Sequence, residues 1–180
     1  MIGRLVVTSG LVVAGAVAFS PNVLAQSVDV PFEANVGERC SFATPVPGKL
    51  VYSQGGPSFS PSDLTSDAPG GISGTVEVSC NTQADLEITD ARFVSFTPAD
   101  PNAPPPTSSF PSQTLEARAI VPGNFGSEAY YSGPSEGGGS PGGSLLLDPI
   151  NQTVEVDLAV DSGVPLAGIY QYTVTLTIVP

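Results

Sequence analysis

The chain contains no histidine and no tryptophan, and Lys49 is its only lysine. Without histidine, the serine–histidine and cysteine–histidine pairs of nucleophilic catalysis are excluded. Lys49 belongs to no Ser-x-x-Lys motif. No window has helical periodicity, so no glycine motif opens a helix that could cradle a phosphate. These absences leave carboxylates as the main side chains from which an active site could be built.

Carboxylates are plentiful, with 17 acidic residues against 5 basic ones and a net charge of −12. A carboxylate pair could serve glycoside hydrolysis, and "DLEITD" could be considered for calcium. That segment lacks the dense spacing and the glycine of a calcium loop, and the strand pattern described below points most candidates to solvent. We therefore predict no enzyme, no metal site and no cofactor. The carboxylates considered are Asp85, Glu87, Asp90, Glu155 and Asp157, all but Asp90 predicted to face outward.

The acidic balance also bears on partners. Nucleic acid and anionic lipid are bound by clustered Lys and Arg, which this chain lacks. We predict no nucleic-acid partner and contact with a membrane only during export. An acidic exterior is the ordinary state of a soluble surface, so it predicts solubility and no particular ligand.

The long apolar stretch of the chain lies within residues 1–25, which have the three parts of a secretory signal. Arg4 provides the positive charge, residues 5–19 the apolar core, and residues 23–25 a small-residue cleavage site before Gln26. The alternative is an uncleaved membrane anchor. It would need about 20 apolar residues, and polar residues interrupt this stretch twice. We predict export to the periplasm, then to the cell surface or an extracellular fibre.

The chain has two cysteines, Cys40 and Cys80. In an oxidising compartment an even count predicts a disulfide. A metal site is disfavoured, because there is no histidine and no second cysteine pair.

Hydrophobic residues alternate with polar residues in several segments, which is typical of half-buried antiparallel strands. Short strands separated by turn residues predict an all-β sandwich. The segments are "GTVEVSC" (74–80), "ADLEI" (84–88), "RFVSF" (92–96, apolar on both faces), "TLEARAIV" (114–121), "TVEVDLAV" (153–160) and "IYQYTVTLTIV" (169–179). The residues predicted to face inward are Val76, Val78 and Cys80; Ala84, Leu86 and Ile88; Leu115, Ala117 and Ala119; Val154, Val156, Leu158 and Val160; and Tyr170, Tyr172, Val174, Leu176 and Ile178.

Three stretches without a pattern separate these segments. Residues 53–71 and the Pro-rich residues 97–112 predict loops, and residues 97–112 contain six prolines. Residues 123–144 are rich in Gly and Ser and are predicted to be a mobile loop. Tyr130 and Tyr131 in that stretch could touch a sugar or a partner, or fold back onto the sandwich. Residues 151–153 fit a glycosylation sequon, but they lie on a predicted strand.

A further alternating segment, "QSVDVPFEANV" (26–36), precedes the first cysteine. Together with the signal, the second cysteine at the end of "GGISGTVEVSC" and the glycine-led last strand "LAGIYQYTVTLTIVP", it resembles the spore coat protein U family, which includes the pilus subunits of archaic chaperone–usher systems. The similarity is concentrated in residues 26–42, 71–88 and 164–180. The Pro- and Gly-rich middle departs from the family pattern.

The resemblance implies an immunoglobulin-like sandwich that lacks its last strand and has one disulfide. A periplasmic chaperone fills the gap temporarily, and an outer-membrane usher assembles the subunits head to tail. In the fibre, the N-terminal extension of a neighbouring subunit fills the gap. Here residues 26–36 would be that extension and residues 37–180 the pilin-like domain. The donor residues would be Val28, Val30, Phe32, Ala34 and Val36.

The residue count allows a check on this expectation. The 14 residues 26–39 have room for one strand, either the first strand of their own domain or a donor. Pro180 follows the last strand directly, which leaves that strand as the expected edge of an acceptor groove; its core-facing residues are Tyr170, Tyr172, Val174, Leu176 and Ile178. The predicted function is a structural subunit of a pilus or fibre, assembled by donor-strand exchange. The alternative is a self-contained β-sandwich in which residues 26–36 pair within their own chain, acting as a monomeric surface or binding module.

Overall fold

A computed structural model describes residues 31–53, 64–101, 113–124, 126–162 and 165–179. Contacts divide the chain into two units, Met1–Asn35 and Val36–Pro180, and the strands of the described residues belong to the second. The predicted donor residues Val28 and Val30 lie outside the described residues, as does most of the Pro-rich stretch. The described ranges contain no helix with the length and hydropathy needed to span a membrane.

The described residues form eleven strands and no helix, which confirms the all-β prediction. The strands are β1 (Cys40–Phe42), β2 (Val51–Tyr52), β3 (Leu64–Thr65), β4 (Gly74–Cys80), β5 (Ala84–Pro98), β6 (Thr114–Ile120), β7 (Ala129–Pro134), β8 (Ser140–Gly142), β9 (Leu145–Leu147), β10 (Asn151–Asp161) and β11 (Gly168–Val179).

The strands form two antiparallel sheets. The larger has the order β1-β4-β10-β6-β7-β8, with β3 paired to β10 and β2 paired to β3. The smaller has the order β11-β5-β9. The core takes side chains from both sheets, such as Val78 of β4, Leu115 of β6 and Leu86 of β5. This arrangement is compatible with an immunoglobulin-like sandwich, whose topology stays a prediction.

The alternation in the sequence placed the core residues of β4, β6 and β10 and of the first part of β5 correctly. Such strands bury every second side chain because successive side chains point to opposite faces of a sheet. The predicted inward residues of these strands are buried, apart from the half-buried Val156. The predicted disulfide is also confirmed: Cys40 and Cys80 are bonded and face each other across β1 and β4.

The segments "ADLEI" and "RFVSF" belong to one strand, β5, which pairs with β11 from Asp85 to Pro98. The pairing register shifts between Gln171 and Tyr172, and again between Thr175 and Leu176. Such bulges add a residue to one strand and change which side chains face the core. The second half of β5 therefore loses its strict alternation, which explains why it looks apolar on both faces.

The prediction of a loop throughout residues 123–144 was wrong, because β7 and β8 lie within it. Tyr131 is 1% exposed, so it is a core residue and offers no ring to a ligand. Its hydroxyl accepts a hydrogen bond from the backbone N–H of Gly139 at 2.9 Å. A Cβ built on Gly133 would lie 2.3 Å from the Cα of Gly139. These glycines therefore allow two backbones to approach closely within this part of the sheet.

The prediction that Asp157 faces solvent was also wrong, because Asp157 is only 4% exposed. One carboxylate oxygen accepts hydrogen bonds from the hydroxyls of Ser66 at 2.9 Å and Ser73 at 2.6 Å. The other lies 3.1 Å from Nη2 of Arg118 on β6. These contacts show that the segment carrying Ser66 and Ser73 covers Asp157, which the local pattern of β10 does not reveal.

Asp157→Ala is expected to lower the free energy of unfolding by about 3 kcal/mol, because it removes the ion pair with Arg118 and the hydrogen bonds that Ser66 and Ser73 donate to the buried carboxylate. Urea unfolding monitored by circular dichroism measures the change. The matched control is Glu155→Ala, a half-buried carboxylate on the same face of β10, expected to change stability by about 0.5 kcal/mol or less. Equal effects of the two substitutions would show that the Asp157 contacts contribute nothing specific.

Candidate interaction groove

β11 is an edge strand: it pairs with β5 on one side, and no described strand pairs with the other. In the larger sheet, residues 42–49 run along the outer edge of β4 and of the residues that precede it, and residues 51–52 pair with β3. Backbone hydrogen bonds attach this segment at Ala43, Val46 and Lys49. We call residues 42–52 the outer wall. A groove lies between the outer wall and β11.

The groove has a volume of about 1630 Å³ and exceeds the roughly 300–1,000 Å³ of typical small-molecule pockets. The nine residues from Gly168 to Leu176 line it along β11. At about 3.3 Å per residue these extend over about 30 Å. The remaining lining residues are Phe42, Ala43, Pro45, Val46, Pro47, Gly48, Lys49, Leu50, Tyr52, Leu64, Ser66, Gly74, Thr75, Val76, Val94, Val156, Leu158, Pro165, Leu166 and Ala167.

The lining is largely apolar and partly open to solvent. Isolated exposed apolar residues are ordinary, whereas a contiguous group marks an interaction surface. Many of the large hydrophobic side chains that are exposed in the described part of the chain gather at this groove. Those in its lining are Phe42, Val46, Tyr52, Val94, Leu166 and Ile169.

The residues predicted to form the acceptor edge lie on β11 as expected from their alternation. Tyr170, Tyr172, Val174 and Leu176 line the groove, and Ile178 packs against the core without lining it. All five are only half-buried, while core residues of the neighbouring β5 such as Leu86 are fully buried. The core-facing side chains of β11 are thus covered incompletely, next to the edge that no described strand pairs with.

Aromatic rings form one end of the groove. The rings of Tyr170 and Tyr172 are nearly parallel, with centroids 6.3 Å apart and an interplanar angle of 8°. Phe96 lies 4.6 Å from Tyr170, and Phe93 lies 5.7 Å from Tyr172. Offset and edge-on aromatic contacts of this kind favour a fixed arrangement of the rings.

Both tyrosine hydroxyls at this end have acceptors. Tyr172 donates to Oε1 of the buried Gln113 at 3.0 Å, and Tyr170 donates to the carbonyl of Leu166 at 3.0 Å. Burial raises the pKa of Tyr172 well above its usual range, against the opposing effect of the Gln113 hydrogen bond. Burial also raises the pKa of Tyr170. Both side chains therefore remain neutral near pH 7, and the aromatic end of the groove has no charge.

The outer wall was missed from the sequence. Gly48 lets it lie against β4, because a Cβ there would be 2.7 Å from the Gly74 nitrogen. Ser66, which lines the groove outside the outer wall, was missed as well. Its hydroxyl accepts a hydrogen bond from the Leu158 nitrogen at 3.0 Å and donates one to Asp157. Pro45 and Pro47 are the signal that could have indicated the wall, because proline within a sheet is confined to edges and bulges.

The described part of the predicted donor segment is exposed and forms no strand. Phe32 is 94% exposed and Val36 is 78% exposed, and Ala34 is exposed as well.

The chain is attached to the domain directly after this segment, through Asn81. The Asn81 side chain donates to the carbonyl of Gly37 at 2.9 Å and accepts from the Arg39 nitrogen at 2.7 Å. The Asn81 backbone nitrogen donates to the carbonyl of Arg39 at 3.0 Å. The chain therefore enters the domain beside the turn between β4 and β5.

The groove has two distinct ends. β4 ends at Cys80, and β5 begins at Ala84 after a short turn. Val179 of β11 pairs with Asp85, so the end of β11 lies beside this turn. We call this end of the groove the near end. Gly168 pairs with Pro98 at the other end of β5, the far end. Lys49 bridges to Ile72, which precedes the first residue of β4 and so lies toward the far end.

The described residues contain no group of three or more His, Cys, Asp or Glu placed to hold a metal ion. No family model matches the chain, and comparisons with curated proteins and with solved structures find no similar protein.

Proposed function

We propose that this protein is an exported structural subunit of a surface pilus or fibre, and that it assembles by donor-strand exchange along a chaperone–usher route. The main support is the apolar groove beside the edge of β11 that no strand in the described ranges pairs with. An open sheet edge next to exposed apolar side chains promotes pairing with another chain. A groove of this shape takes an extended strand by β-strand addition.

The extension, residues 26–36, has the size and pattern of a suitable occupant. Its alternating apolar residues run from Val28 to Val36, nine residues, and nine residues of β11 line the groove. In a strand, those apolar side chains share one face and would point into the groove together. Pro31 has no N–H, so its nitrogen must face away from β11.

The energies are adequate for stable assembly. Burial of three valines and Phe32 contributes roughly 6–12 kcal/mol as an upper estimate, at about 1.5–3 kcal/mol for each side chain. Association costs about 4–15 kcal/mol, so apolar burial alone is not sufficient for tight binding. Backbone hydrogen bonds to the free edge of β11 add about 0.5–1.5 kcal/mol each. Tight binding therefore requires both apolar burial and backbone hydrogen bonds, and an apolar strand that pairs with β11 provides both.

Assembly of this kind is head to tail. The extension and the groove are different parts of one molecule. Each subunit therefore binds one neighbour with its extension and the other neighbour with its groove. Heterologous contacts that do not close into a ring produce open filaments. The partners are thus other copies of this chain or related subunits, with a periplasmic chaperone and an outer-membrane usher during export.

The protein is tested in the form that cells export. On a denaturing gel without boiling, it is expected to give a ladder of bands or a monomer bound to its chaperone, and boiling should convert either to the monomer. A single monomer that melts cooperatively and forms no ladder would contradict the proposal. It would favour the alternative, a self-contained sandwich acting as a monomeric module.

A further inference from the structure

The described residues that line the groove include one charged side chain, Lys49, and no carboxylate. This is unusual in a chain with 17 acidic residues. We propose that Lys49 sets the register of the incoming strand by pairing with Glu33 of a second copy of this chain. The inference rests on the proposed function and adds to it a residue that selects and aligns the donor.

The backbone at Lys49 is fixed while its side chain is exposed. The Lys49 nitrogen donates to the carbonyl of Ile72 at 2.7 Å, and the Ile72 nitrogen donates to the carbonyl of Lys49 at 2.9 Å. These bonds attach this part of the outer wall to the strip preceding β4 and hold the start of the side chain at the groove rim. The exposed ammonium group is therefore available to a strand that occupies the groove.

The extension has the complementary charge. Its two charged residues, Asp29 and Glu33, are both acidic. Each alternates with apolar neighbours, so a strand that directs Phe32 into the groove holds Glu33 on the opposite, rim-facing side. Opposite charges across an interface fix its register and exclude wrong partners.

The direction of the donor strand selects Glu33 over Asp29. Asn81 holds the start of each domain at its near end. If the donor strand left the groove at the near end, its domain would crowd the place where the acceptor's own extension begins. If it leaves at the far end, the free extension stays open to the next subunit. In that direction Glu33 lies closer to the far end than Asp29 does, on the side of the groove where Lys49 lies.

The experiment measures binding of a fluorescent peptide by anisotropy. The acceptor is the exported protein, as cells process it, with Phe32→Asp in its own extension. The donor is an amidated peptide of sequence "QSVDVPFEANV". Lys49→Glu in the acceptor is expected to weaken binding about tenfold, because it replaces an attraction with a repulsion, and added salt should reduce the difference.

The matched acceptor control is Arg92→Glu. It makes the same charge change at an exposed arginine that does not line the groove, and it should alter binding less than twofold. In the peptide, Glu33→Lys should restore binding to the Lys49→Glu acceptor, whereas Asp29→Lys should not. If the Lys49→Glu acceptor does not fold, the unchanged Lys49 acceptor gives the same test: Glu33→Lys should then weaken binding more than Asp29→Lys.

The outcomes separate the two proposals. A folded acceptor that binds no peptide at all would overturn the proposed function. Binding that responds equally to the Lys49→Glu and Arg92→Glu changes would overturn the pairing and leave the function standing. Restoration by Asp29→Lys in place of Glu33→Lys would overturn the assigned register. Selective restoration by Glu33→Lys would support the inference.

Discussion

Replacement of Phe32 by aspartate is expected to abolish assembly of the subunit while its domain stays folded and disulfide-bonded. Phe32 is 94% exposed, so the domain loses no packing when its ring is removed. In the assembled fibre the same position would bury a charge without a partner, and the burial of one large side chain would be lost. We expect the affinity of the extension for the groove to fall more than 100-fold.

The measurement is the ladder on an unboiled denaturing gel, together with the melting temperature of the variant. Asn35→Asp is the matched control, because it adds the same charge to the same segment on the alternate, rim-facing side of the strand. That variant should still assemble. Loss of the folded domain in Phe32→Asp would place this segment inside its own sheet. A ladder that persists would show that Phe32 does not enter the groove.

Removal of the disulfide is expected to lower the free energy of unfolding by about 4 kcal/mol on the loop-closure model. The bond joins residues 40 positions apart, and it links β1, where the outer wall begins, to β4. Cys80 is 7% exposed, so its sulfur also contributes to the core. Such a loss is a large share of the stability of a small domain.

The double variant Cys40→Ala, Cys80→Ala tests this expectation by chemical denaturation, beside the unchanged protein in oxidising and reducing buffer. Mass measurement of the unchanged protein should show two hydrogens fewer than the dithiol form. The control is Ser41→Ala, an exposed position between β1 neighbours, with an expected change of about 0.5 kcal/mol or less. A double variant as stable as the unchanged protein would show that the crosslink does not stabilise the fold.

Local pattern was sufficient for strands with one face to the core and one to solvent. Val76, Val78 and Cys80 were placed correctly because β4 alternates without a break. In the second half of β5 the alternation did not indicate which side chains face the core, because the pairing register with β11 shifts there. The pattern did not reveal that Tyr131 is buried. The glycine-rich sequence around it looks like a mobile linker, although these glycines allow close packing of two backbones.

Of the two sides of the groove, only the one formed by β11 could be predicted from the sequence. The alternation of β11 indicated which residues face inward, and its position at the edge agrees with the expectation. The outer wall, including Lys49, lies in a proline-containing segment with no period that a pattern could reveal. Its place opposite β11 depends on isolated bridges to Thr75 of β4 and to Ile72 just before β4, which join residues distant in sequence.

The sequence by itself determined the all-β class and the inward faces of β4, β6, β10 and β11, because each depends on residue types repeated at short spacing. It also determined the disulfide, because the chain has two cysteines and they can pair in one way. Only the tertiary structure decided that Asp157 is buried, that residues 129–134 are a strand, and that an apolar groove lies between β11 and the outer wall. The groove and the burial of Asp157 arise where segments far apart in the chain meet, and local periodicity contains no information about which segments those are. Residues 129–134 form a strand by pairing with the neighbouring β6 and β8, in a glycine- and serine-rich stretch that has no alternation to indicate it.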